Sequence, residues 1–162
     1  MANNGWVTSR KKITAEKISS ILNDLNARLF KHNLLIEIHK GTPESPGWGL
    51  YTWMLSYVSD QEYASRVCWL ETNRKFVMSH GGGSDFAWWI DTAILNEVAL
   101  QVKGIIRDEA DDRKQAPIAN QYDNLQKYLE QTKSPCLRFK EYAKTIPPEF
   151  RVELIHCELF PS

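Results

Sequence analysis

One carboxylate in this chain sits where hydrocarbon is expected. Asp91 lies in the stretch SHGGGSDFAWWIDTAIL, residues 79–95, one turn into a run with helical periodicity. At about 100° per residue, Trp88, Ile94, Leu95, Val98, Ala99, Val102, Ile105 and Ile106 form one broad apolar face, with Asp91 in its middle. An unpaired buried carboxylate is costly, so it finds a partner or takes up a proton. By residue type the available partners are Arg66, His80 and a Tyr or Trp donor. Two readings follow. In the first, Asp91 bonds Arg66, a Trp N–H or nearby backbone and only holds the fold. In the second, Asp91 and His80 form a polar pair in a ligand-binding pocket floored by Trp53 and Trp69, with Arg66 beside them.

The glycines upstream of Asp91 raise phosphate binding, which needs backbone N–H groups aimed at the anion from a helix N-terminus. The spacings that usually build such a loop, G-x-x-x-x-G-K-[ST] and G-x-G-x-x-G, are absent. Asp85 already places negative charge at the favourable end of the helix dipole. Gly81–Gly83 therefore read as a strand-to-helix joint that needs positive φ, with Ser84 or Asp85 as N-cap. Three glycines exceed what one turn requires, which marks close approach by a backbone or ligand, or mobility.

Other chemistries have weaker support. His32, His39, His80 and His156 show no H-x-x-x-H spacing and the cysteines no C-x-x-C, so no metal and no cofactor is expected. Cys68 and Cys157 sit in apolar strand-like runs and read as small core residues. Cys136, after Ser134–Pro135, is the one expected at the surface, without a base nearby in sequence.

Three features suit contact with another protein. Trp48 stands in the Gly/Pro-rich loop GTPESPGWG, residues 41–49. Trp89, Ala93 and Leu100 form a second, narrower apolar stripe on the central helix, which C-terminal helices or a partner must cover. Asp108, Glu109, Asp111 and Asp112 form an acidic run at what reads as a helix C-terminus, where acid is unfavourable. The candidate partner-binding residues are thus Trp48, Trp89, Leu100, Asp108, Asp111 and Asp112.

Composition bounds the classes. A chain of 162 residues, 43% hydrophobic and 25% charged, has the size of one globular domain. Its 20 basic and 20 acidic residues cancel, which gives no domain-wide attraction to nucleic acid or to an anionic membrane surface. There is no apolar run long enough to cross a membrane and no apolar signal-peptide core. Three widely spaced cysteines suit reduced thiols in the cytoplasm.

The elements that must position these residues are legible from periodicity. Thr14 is a good N-cap for a helix over 14–32, with Ile13 and Ile18 as a hydrophobic staple and Ile18, Ile21, Leu22, Leu25 and Leu29 as its apolar face. LLIEIHK switches to period two. Strand-like runs follow at 50–58, 64–71 and 75–80, joined by the short polar turns SDQE and TNR. The longest helix is expected from 86 to about 110, with helices over 118–129 and 137–145 and a final strand over 151–160. Residues 1–9 are expected to be flexible. The predicted fold is α+β: a mainly antiparallel sheet of about five strands, with an N-terminal helix, a long central helix and C-terminal helices packed on it.

With no catalytic signature and a surplus of aromatics, the expected function is a small binding protein acting by protein–protein interaction, of inhibitor, immunity or accessory type, microbial or phage. Its partner is another protein or a second copy. The alternative is a small-molecule-binding domain or enzyme, its pocket between the aromatic sheet face and the helix after Gly83.

Overall fold

The computed structural model describes residues 3–30, 34–40, 49–58, 63–80, 85–109 and 117, with backbone alone at 3, 80, 85, 86, 88 and 89. Eight elements follow in order: β1 (Asn3–Thr8), α1 (Ala15–Arg28), β2 (Leu34–Lys40), β3 (Tyr51–Val58), β4 (Tyr63–Thr72), β5 (Lys75–His80), α2 (Asp85–Val102) and β6 (Ile105–Asp108). The class is α+β. The strands form one six-stranded sheet in the order β2-β3-β4-β5-β1-β6, and every adjacent pair is antiparallel. The expected C-terminal helices and final strand lie outside the described residues.

The strands from β2 to β5 form a meander, which the short polar turns predict for β3 to β5. α1 begins at its expected cap: the Thr14 hydroxyl accepts the Lys17 N–H at 3.1 Å, and Ile13 and Ile18 are both buried. It ends at Arg28, sooner than the sequence suggests, because the Leu29 and Phe30 N–H groups both turn onto the Leu25 carbonyl at 2.8 Å.

Two elements differ from expectation. Residues 3–8, expected to be flexible, form β1, which pairs with β5 on one side and β6 on the other. NNGWVT carries little strand propensity; its neighbours on both sides supply the strand, and Val7 is fully buried beneath it. The second difference is the end of α2. It stops at Val102 rather than near 110, through a Schellman closure. The Lys103 N–H reaches Leu100 O at 3.4 Å and the Gly104 N–H reaches Ala99 O at 2.8 Å, with Lys103 at φ 53°. Gly104 is required by close approach: a Cβ there would lie 2.6 Å from Val7 Cγ1 and 2.7 Å from Thr8 O. Ile105 and Ile106, expected on the helix face, open β6 instead. Asp108 and Glu109 are thus not at a helix end. Asp108 pairs with Gly5, and the Glu109 N–H donates to Asn4 O at 3.0 Å.

β5 and β6 are both antiparallel to β1, so they are parallel to each other, and α2 is the crossover that joins them. Both helices lie on the sheet face formed by Val7, Trp53, Leu55, Tyr57, Cys68, Leu70, Phe76 and Met78. Their shared core is continuous with Ile18, Ile21, Leu22 and Leu25 of α1 and Ile90, Ile94, Val98 and Val102 of α2. α2 is buried on nearly every side: Ala93, Leu95, Asn96, Glu97 and Ala99 are buried as well. It is the central rod of the molecule rather than an amphipathic surface helix.

Candidate functional site

Asp91 is fully buried on α2. Both of its oxygens are held by residues of the sheet. The Tyr57 hydroxyl of β3 donates to Oδ1 at 2.5 Å, and Arg66 Nε of β4 donates to Oδ2 at 3.0 Å. The same Arg66 contact is a buried ion pair. Arg66 also donates from Nη1 to the Ser65 carbonyl at 3.0 Å, and its guanidinium stands 5.8 Å from the centre of the Tyr57 ring, within cation–π range.

The register explains why these side chains meet. The β3–β4 hairpin pairs Tyr57 with Ala64, Leu55 with Arg66 and Trp53 with Cys68. Tyr57, Arg66 and Cys68 therefore point to the helix face, Arg66 diagonal to Tyr57. α2 lowers Asp91 onto that spot.

The electrostatics favour neutral neighbours around one ion pair. Burial first, and then the Asp91 charge, push the Tyr57 hydroxyl well above its ordinary value, so it stays protonated and remains a donor. Burial and then Asp91 do the same to the Cys68 thiol. A thiol held protonated is a poor nucleophile. The cluster can anchor α2 to β3 and β4, and each of its polar groups already serves that purpose. Only Arg66 reaches the surface, at 6% exposure, and Asp91 has none.

The remaining predicted residues are spread through the fold. Trp53 and Trp69 lie on opposite faces of the sheet, because Trp53 pairs with Cys68 while Trp69 pairs with Thr52. They cannot floor one pocket. Trp53 is core, its indole N–H donating to the Ser19 hydroxyl of α1 at 3.1 Å. Trp69 is buried on the far face beside Val77 and Thr52. His80 is the last residue of β5 and pairs with Asn3. Of the expected partner-binding set, Leu100 and Asp108 are half-buried, and Trp89 lies on α2. Trp48, Asp111 and Asp112 fall outside the described residues. Among the described residues no group of three or more His, Cys, Asp or Glu side chains could hold a metal, and no helix is long and apolar enough to cross a membrane.

Three exposed apolar side chains gather elsewhere, on the outer face of the sheet. Leu35 is 59% exposed, Met54 38% and Tyr63 67%. By register Leu35 pairs with Ser56, Met54 with Val67 and Ser56 with Ser65, so all share the face opposite the helices. Tyr63 is exposed but not loose. Its phenol oxygen lies 3.1 Å from the Ser56 hydroxyl and accepts from the Ser65 hydroxyl at 3.4 Å. These bonds, Ser56 first, hold the phenol below its ordinary value. Sequence reasoning passed over Tyr63 because it opens a strand. Its signal was the alternation Tyr63, Ser65, Val67 against Ser56 and Met54, which places one aromatic among hydroxyls on a wet face.

Comparison of the chain with protein-family models, with curated proteins and with solved structures found no match.

Proposed function

We propose that this is a binding protein that acts by protein–protein contact, of inhibitor, immunity or accessory type, and that the outer face of β2, β3 and β4 is its contact surface. The observation that carries this reading is Tyr63, an exposed aromatic fixed by two serine hydroxyls on the same face as exposed Leu35 and Met54. Contact surfaces concentrate their energy in aromatic anchors, and an anchor held in place before binding loses little side-chain entropy on docking. The alternative, a small-molecule or enzymatic site on Asp91, has less to stand on. Both carboxylate oxygens are engaged by Tyr57 and Arg66, and a ligand would have to break that pairing.

The test is quantitative affinity capture from the source cells with wild-type protein and with Tyr63→Ala and Met54→Ser. Proteins retained by the wild type and lost by both variants, with melting temperatures unchanged, support the proposal. Equal retention by all three would overturn it.

A further inference from the structure

The outer edge of β2 carries a register code for a second copy of itself. In an antiparallel strand the N–H and C=O of one residue point to the same side, and the side alternates. Leu34 shows which side is which. Its N–H donates to Asn26 Oδ1 at 3.0 Å and its carbonyl accepts from Asn26 Nδ2 at 2.7 Å. Asn26 thus plays the part of one residue of a missing strand and closes the edge at Leu34. By alternation Ile36, Ile38 and Lys40 present their N–H and C=O groups outward along the same edge. Among the described residues no strand lies beyond it. The side chains there are unusually bare for an aliphatic strand: Leu35 is 59% exposed and Ile38 51%.

We infer that two copies of the chain join β2 to β2 antiparallel, about a two-fold axis through Ile38. Only three registers, with axes through 37, 38 or 39, form more than one bonded pair among these outward residues. An axis through residue 37 sets Glu37 against its own copy, and like charges directly opposite are unfavourable. An axis through 39 opposes His39 to its copy. The axis through 38 opposes Glu37 to the copy's His39, twice by symmetry. It also pairs Ile38 with Ile38 and brings all three outward residues into the ribbon, Ile36 bonding Lys40. Within one chain Glu37 and His39 already lie 3.2 Å apart, so across the axis they would form a four-membered cluster of alternating character. The two sheets would become one, and the Tyr63 faces would lie side by side. This inference stands whether or not that face binds another protein. A ribbon this short buries little area, so the dimer is weak and forms at high protein concentration.

Sedimentation velocity across a concentration series tests it. The wild type should convert reversibly from monomer to dimer. Ile38→Lys places two ammonium groups at the axis and should abolish the dimer. Glu37→Lys should raise the dissociation constant about tenfold, since two attractive pairs become unfavourable. The double variant Glu37→Lys with His39→Glu should restore it, because it places opposite charges across the axis. All three positions of change, 37, 38 and 39, are exposed, so melting temperatures should stay level, and the charge-restored variant guards against a loss caused by misfolding. A wild type that remains monomeric at the highest soluble concentration would overturn the inference. So would a dimer that survives Ile38→Lys, or a double variant no better than Glu37→Lys.

Discussion

Removing Asp91 should cost more than any surface change in this protein, and most of the loss should return when Arg66 is removed as well. The carboxylate has no exposed surface and Arg66 only 6%. Asp91→Leu would take away the carboxylate that Arg66 Nε contacts at 3.0 Å and the acceptor of the Tyr57 hydroxyl. Stranding one member of a buried ion pair costs about 3–5 kcal/mol. For a chain of this size that is a fall in melting temperature of roughly 6–20 °C. Arg66→Met should cost a similar amount by removing the ion-pair partner of the buried carboxylate. The double variant should be far less damaged than the sum, because apolar residues replace both charges at once. What remains is about 1–3 kcal/mol for the orphaned Tyr57 hydroxyl. Equilibrium urea unfolding of the four proteins closes the cycle. Additive losses, or an Asp91→Leu cost below about 1 kcal/mol, would refute the idea that this pair anchors α2.

Two further outcomes follow from the described geometry. Burial raises Cys68 above its ordinary 9.0 and Tyr57 above its ordinary 10.0. Above about pH 9 the folded chain thus holds more protons than the unfolded one, and stability should fall as pH climbs, with no contribution from these groups near neutrality. Urea midpoints from pH 7 to 11 should show this fall, and Cys68→Ala should delay its onset toward the tyrosine range; identical alkaline slopes would count against it. At the end of α2, Lys103→Gly should stabilise by roughly 0.5–1 kcal/mol by relieving positive φ. Gly104→Ala should instead destabilise by about 1–3 kcal/mol or more, through the clash with Val7 and Thr8. Thermal melts that move both variants in the same direction would contradict the assigned closure.

The sequence made much of this visible, and its failures have physical causes. Thr14 as a cap, the α1 apolar face and the β3–β5 meander were legible because each is encoded locally. Asp91 was conspicuous because a carboxylate broke an apolar face, and Arg66 and a tyrosine stood among its expected partners. The faces of Trp53 and Trp69 were also within reach. Val58 pairs with Tyr63, and counting down from there sets Trp69 opposite Thr52. Without that count, two tryptophans on neighbouring strands look like one floor. β1 and β6 were not legible in the same way. NNGWVT and IIRD have no pattern of their own, and each is drawn into the sheet by its neighbours, β1 by β5 and β6 and β6 by β1. Ile105 and Ile106 fit the helical period as well as a strand, and the cap that separates them from α2 begins with Lys103 where glycine is usual.

The place of β1 governs the order in which the molecule can be assembled. It is the first of the described strands in the chain, yet its partners are Lys75–His80 and Ile105–Asp108. Until both exist, neither of these partners is there to pair with it, while β3 to β5 can zip through short connections. Long-range closure is the slow step of such topologies, so β1 is a late-arriving keystone between β5 and β6. Pulse-labelled amides in Gly5–Thr8 should gain protection after those of β3 and β4, and protection there at the earliest times would contradict this order. The same placement makes the N-terminus a handle: a force or a bulky fusion at Asn3 pulls on the seam that joins β6 to the rest of the sheet.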